Sequence, residues 1–268
     1  MSTNVVRATR RANWPYRWTI KQRSTATIAL ASAGLVAVLW LAVSVLALAP
    51  EPIGPNARAF ADGMLVTMQL TLLAGLSGVL LGVLAALGKL SKFAPLRYLA
   101  GGYIWIMRGT PLLVQILFVY FALPTLFPWL RLSDFASACV ALSLNVGAYN
   151  AEAIRSGLLS VPKGQAEAAH ALGLGPWQTL WDVTFPQAFK VSLPPLVNNL
   201  VALLKDSSLA YAVGVVELTN AGNRVQSATF EPVPVLITTA TLYLVMTTLL
   251  TQISAGVEQR FDIERRQP

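Results

Sequence analysis

The chain has 268 residues and a formal net charge of +8, with 55% apolar and only 12% charged residues. An average soluble domain carries roughly 25% charged residues, so a water-soluble globular fold is excluded and a membrane protein is indicated. The basic residues are dispersed among short segments rather than gathered on one face, which argues against nucleic acid as a partner and for lipid.

Residues 1–25 form a basic tail holding Arg7, Arg10, Arg11, Arg17, Lys21 and Arg23. An uncharged run from Thr25 to Ala49 follows and predicts a first helix over residues 26–49. It is too long for the roughly 7–15-residue apolar region of a cleaved signal peptide. The second uncharged run, Gly63 to Gly88, carries a Gly78–Gly82 step continued by Ala74 and Ala86, the mark of a close helix contact. A third span starts near Tyr98, with no charge from Gly109 to Leu130, and a fourth occupies Phe135 to Ala151. A fifth begins near Val191 and is interrupted by Lys205, Asp206 and Glu217; the sixth runs from Pro232 to Val257, ahead of a tail over residues 258–268.

Most of these runs approach or exceed the ~20 residues that a helix needs to cross the hydrocarbon core. They are continuously apolar rather than alternating, so helices and not a β-barrel satisfy the backbone in lipid. The expected fold is an all-α membrane protein of about six transmembrane helices. Lys and Arg fix its orientation. The N-terminal tail, Lys89, Lys92 and Arg97, Arg155, Lys163 and Lys190, and Arg260, Arg265 and Arg266 all fall on one side, whereas the alternate segments hold only Arg58, Arg131 and Arg224. Both termini and the segment 160–190 are therefore expected in the cytoplasm.

That segment, SVPKGQAEAAHALGLGPWQTLWDVTFPQAFK, is polar and helix-forming. Ser160 is expected to cap a first helix with Pro162 in its first turn, Gly173 and Gly175 to stop it, and Pro176 to open a second. Trp177, Leu180, Trp181 and Thr184 then share one largely apolar face. Cys139 stands alone in an apolar span and reads as a small buried hydrophobe. His170, the one histidine, lacks a second His or Cys to complete a metal site and reads as structural or interfacial. No GxxxxGK[ST] phosphate loop and no nucleophile–base pair occur, so no catalytic residue, no metal ligand and no cofactor are expected in the chain itself.

Within the loop, Glu167-Ala168-Ala169 is followed after three residues by Gly173, and after nine more by Val183 and then Phe185-Pro186. This spacing resembles the EAA loop of ABC-importer permeases. Arg108-Gly109-Thr110-Pro111-Leu112-Leu113-Val114-Gln115, Gly147-Ala148-Tyr149 with Ala151-Glu152 and Arg155, Val161-Pro162-Lys163-Gly164-Gln165, and Leu203-Leu204-Lys205-Asp206-Ser207-Ser208-Leu209 look like the polar amino-acid branch of that family. The similarity covers roughly Leu65 to Arg260, with Phe185 where Leu is usual. It implies a five-helix permease core, here residues 63–257, with the first helix as an addition. It also implies a bacterial cytoplasmic (inner) membrane location, a second permease subunit, ABC ATPase subunits that bind ATP and Mg, an extracytoplasmic solute-binding protein, and an amino-acid-like substrate. By the same resemblance, Glu167, Ala168, Ala169, Gly173 and Trp177 carry coupling to the ATPase.

Arg108, Lys205 and Asp206 fall well inside the bilayer, where each costs roughly 2.5–3.5 kcal/mol unless a partner or a wet cavity receives it. Pairing with one another is one explanation. Adjacent Lys205 and Asp206 point about 100° apart on a helix, however, so at least one looks elsewhere. A zwitterionic amino acid would supply both complements. Gly109 and Pro111 break the third span, and Pro194-Pro195 and the Lys-Asp-Ser-Ser step punctuate the fifth, as in helices that line a transport site. Arg108, Thr110, Gln115, Lys205, Asp206 and Ser207 are the candidate pathway residues, although Gln115, Asn145, Asn198 and Asn199 also suit interhelical hydrogen bonding. Two other readings remain open here: an ion- or proton-coupled secondary transporter relaying through Arg108, Lys205 and Asp206, and a non-transporting scaffold that docks a cytoplasmic partner.

Overall fold

The computed structural model describes residues 20–261, and the expected tail residues Arg7, Arg10, Arg11, Arg17, Arg265 and Arg266 lie outside them. All regular structure among the described residues is helical. Helix α1 (Ile20–Leu46) is followed by a cis Glu51–Pro52 peptide and a short turn, then by the long α2 (Ala57–Leu90). Next come α3 (Ala94–Gly109) and α4 (Leu112–Leu117), which passes through a π-helical turn at Phe118–Ala122 into α5 (Leu123–Leu126). Helix α6 (Asp134–Leu159) leads to α7 (Lys163–Ala171), α8 (Pro176–Gln178), a second π-helical turn at Thr179–Thr184, and α9 (Phe185–Asp206). A 3-10 stretch (Ser207–Val213), α10 (Leu218–Thr229) and α11 (Pro232–Phe261) complete the chain.

Among the described residues, three stretches, Lys21–Leu46, Gly54–Leu90 and Pro232–Phe261, are long and apolar enough to span a membrane. Two bent pairs raise the number to five if each pair is one span: Ala94–Gly109 with Leu112–Leu126, bent by 112°, and Pro176–Val213 with Leu218–Thr229, bent by 51°. The expected fourth span lies in α6. Its 26 residues reach about 39 Å at the ~1.5 Å rise of an α-helix. It is less apolar than the others because Ser137, Ser143, Asn145 and Asn150 are turned into the protein and buried.

The α2–α6 pair is the broadest helix contact, and the expected Gly78–Gly82 step sits in it. A Cβ at Gly78 would run into Val146, and one at Gly82 would lie 2.7 Å from the Asn150 Cβ. The same pair is tied at one end by Glu152, which accepts from Lys89 at 2.6 Å and from Arg155 at 2.7 and 3.0 Å. Helix α1 packs mainly on α11, where Gly256 faces Ser24 and Ile28, and contributes Ala42 to the core formed by Phe60, Met64, Leu204, Leu218, Val235 and Met246.

Several local expectations are corrected. Ser160 does not cap α7: its hydroxyl donates to Gly157 O at 2.7 Å and closes α6, because α6 runs on to Leu159 and leaves only a short linker. Pro162 takes the N-cap position of α7. Helix α9 begins at Phe185 rather than near Val191, and it continues unbroken through Pro194 and Pro195. The two prolines only remove the helical donors for the carbonyls of Lys190 and Val191. The change of conformation comes later, after Asp206.

Candidate functional site: a broken-helix cavity and an exposed helical knob

Gly109 and Pro111 end α3 and start α4, since Pro111 cannot donate to a preceding turn and holds the chain extended at φ −63°, ψ 135°. The resulting elbow is braced by one amide. Gln115 Nε2 donates to Met107 O at 2.8 Å, Thr110 O at 3.1 Å and Thr110 Oγ1 at 2.8 Å. Asn145 Nδ2 of α6 donates to Gln115 Oε1 at 3.0 Å and to Met107 O at 3.2 Å. Gln115, a pathway candidate from sequence, is therefore committed to the brace.

Beside the elbow lies a cavity of about 340 Å³ lined by Thr110, Pro111, Asn145, Tyr149, Asn199 and Asp206, among others. Arg108 is exposed and stacks on Tyr149, with its Cζ 5.3 Å from the ring centroid. Asn199 Nδ2 donates to Asn150 Oδ1 at 2.9 Å, pinning α9 to α6 at the cavity wall. Asp206 is half-buried at the end of α9, and Lys205 is exposed on another side of the helix. Among the described residues, the ion pairs are Arg58–Asp62, Lys89–Glu152 and Arg155–Glu152, so Arg108, Lys205 and Asp206 do not pair within 4.0 Å there. Ser207 is fully buried, and its hydroxyl donates to Leu204 O at 2.8 Å. It shapes the end of α9 and does not line the cavity. The structure thus brings Thr110 and Asp206 to one cavity, sets Arg108 against its wall at Tyr149, and removes Gln115 and Ser207 from the lining.

Sequence reasoning passed over Glu217. This carboxylate is fully buried and caps α10, accepting from Thr219 N and Asn220 N, each at 2.8 Å, and from Tyr243 Oη of α11 at 2.7 Å. Thr67 Oγ1 of α2 accepts from Leu218 N at 3.1 Å alongside it. The cluster joins α2, α10 and α11. The only signal was an acid ahead of a short polar helix, muted because Glu is not a favoured cap residue.

The second place is the knob formed by α7 and α8. Gly173 has φ +85°, and the helix ends in a Schellman arrangement: Leu174 N–H reaches Ala169 O and Gly173 N–H reaches His170 O. His170 Nδ1 lies 3.1 Å from Leu174 O, so the ring donates there and staples the turn. Glu167, Ala168 and Gly173 are exposed along α7, whereas Ala169 is turned inward and buried. Trp177 is 69% exposed, and its ring packs edge-on against Trp181 at 5.6 Å. The outer face of the knob is small and polar at one end and aromatic at the other. Among the described residues, no group of three His, Cys, Asp or Glu side chains converges on a metal position.

A helical membrane bundle with a polar cavity at a helix break and an exposed helical knob is the architecture of a transporter's membrane subunit. The chain belongs to the family described as the inner membrane component of binding-protein-dependent transport systems, which matches residues 78–263. It is thus an inner-membrane ABC permease, a non-catalytic subunit. It is 40% identical over 201 residues to the L-cystine transport system permease protein TcyB of Bacillus subtilis (strain 168), covering 75% of this chain and 85% of that one. It is 36% identical over 211 residues to the glutamine transport system permease protein GlnP of Escherichia coli (strain K12), covering 79% and 96%. The crystal structure of an amino acid ABC transporter with histidines matches with a TM-score of 0.71 and 37% identity over 76% of this chain and 94% of that one. An inward-facing MetNI methionine ABC transporter shares the fold, with a TM-score of 0.65 at 20% identity over 77% and 98%.

Proposed function

We propose that this chain carries a polar amino acid or a closely related small zwitterion into the cytoplasm, driven by ATP hydrolysis on a separate subunit. The observation that carries this reading is the cavity at the α3–α4 elbow, whose lining includes a carboxylate (Asp206) for an ammonium, with the Arg108 guanidinium stacked on the lining residue Tyr149 as the complement for a carboxylate. Its volume of about 340 Å³ lies in the roughly 300–1,000 Å³ range of small-molecule sites. The relatives named for L-cystine and glutamine support the substrate class.

In this reading the ATPase subunits bind ATP and Mg and grip the knob through Glu167, Ala168, Gly173 and Trp177, with Ala169 supporting α7 from behind. A second permease subunit completes the pathway, and an extracytoplasmic binding protein delivers the substrate. Six crossings place both termini in the cytoplasm and α6 across the membrane. Residues 63–257 form the core, 26–49 the added helix, and 1–25 and 258–268 the tails. Lys205 faces the pathway or the second subunit. A substrate-stimulated ATPase assay on the reconstituted complex, across a panel of amino acids and opine-like derivatives, tests the reading. Stimulation by at least one polar amino acid is expected, and no response to any of them refutes it. Maleimide labelling of Glu167→Cys from the outside of intact cells would overturn the orientation.

A further inference from the structure

A row of aromatic rings runs from the knob into the last helix. Trp177 packs on Trp181 with centroids 5.6 Å apart, Trp181 on Phe185 at 5.0 Å, Phe185 on Phe189 at 5.9 Å, and Phe189 on Phe261 of α11 at 5.4 Å. The first four residues are spaced by four. In a uniform α-helix of 3.6 residues per turn that spacing drifts by about 40° per step, which would carry the rings around the helix. The π-helical turn at Thr179–Thr184 winds more slowly and takes up part of that drift, so the rings stay in touch. Phe261 ends α11, and one turn earlier Gly256 receives Ser24 and Ile28 of α1. A cavity of about 680 Å³ opens between the two helices there, lined by Gln187, Lys190 and Pro194 on one side and by Ala255, Glu258 and Phe261 on the other.

We propose that this aromatic row passes displacement of the knob into α11, with Phe261 as the positioning residue that makes α11 move together with α9. The inference rests on the reading of the knob as the ATPase docking point. Helix α9 follows the knob through its own backbone, whereas α11 lies further along the chain and joins the row where Phe261 meets Phe189. Edge-to-face and tilted rings at these separations attract one another beyond the area they bury, so a shift of one ring favours a shift of the next. Coupling of this kind is demonstrated only by perturbing both ends of the row.

The test uses the full chain copurified with its ATPase, with Cys139→Ala as background and Ala255→Cys as reporter in the cavity between α9 and α11. Maleimide labelling is compared between the nucleotide-free and ATP–vanadate-trapped complexes. A several-fold change in labelling rate is expected, falling towards unity in Phe261→Ala and restored in Phe261→Trp. Phe185→Ala breaks the row without touching α11 and is expected to remove the change as well, so fraying of the α11 end cannot mimic the result. Retention of the full nucleotide dependence in either alanine variant, with the ATPase still bound, overturns the proposal and leaves the docking reading intact. Failure of the unmutated chain to retain any ATPase overturns both.

Discussion

Replacing Glu217 separates its role as a buried cap from that of a dispensable charge. In Glu217→Ala, Thr219 N and Asn220 N lose their acceptor inside the protein, while Tyr243 Oη keeps Thr219 Oγ1 at 3.2 Å. Each orphaned buried donor costs about 1–3 kcal/mol, so the two together cost about 2–6. Against this stands relief of the desolvation of a carboxylate, an effective penalty of several kcal/mol that its hydrogen bonds now offset. The net expectation is a loss of about 2–4 kcal/mol. Glu217→Gln keeps one acceptor oxygen and can donate to Tyr243, so only one donor is orphaned and the loss is about 1–3 kcal/mol. Reversible denaturation of the detergent-solubilised protein, followed by tryptophan fluorescence, measures the order wild type, Gln, Ala. Alanine and wild type unfolding within about 0.5 kcal/mol of each other would refute the reasoning, since surface substitutions already scatter by that much.

Three further outcomes are expected. Gly173→Arg forces a side chain onto a residue at φ +85°, at a cost of about 1–2 kcal/mol, and places bulk on the exposed face of the knob; ATPase copurification should be lost while membrane insertion persists. Asp206→Asn should lower amino-acid uptake in proteoliposomes more than it lowers the yield of assembled complex, and intact uptake would make that acid structural. Gly78→Leu drives a side chain into Val146 across the α2–α6 contact, so folded yield on size-exclusion chromatography should collapse, whereas Leu76→Ala on the exposed side of the same helix should leave it unchanged.

The helices were legible in the sequence because solvent dictates them: an uncharged run in lipid has few alternatives to a helix, and Gly78–Gly82 marked where two of them approach. The stop at Gly173 was equally readable, because a left-handed cap is a local demand of the backbone. Features set by tertiary contact were not. Pro194 and Pro195 predicted a break, yet α9 continues as helix through them. Gln115 and Ser207 carried the right polarity for a pathway, but whether a polar group faces a cavity or a carbonyl depends on the fold around it. Ala169 stood in the motif beside Ala168 and yet is buried where Ala168 is exposed, since adjacent positions on a helix point about 100° apart. Glu217 was hidden because the three groups it satisfies come from two separate helices.

The brace at the α3–α4 elbow sets a boundary on how the protein works. Any change of the elbow angle would have to break the hydrogen bonds of Gln115 and Asn145 to Met107, Thr110 and each other together. Bending there is accordingly costly, and a stroke that leaves the elbow intact and shifts helices outside this network would cost less.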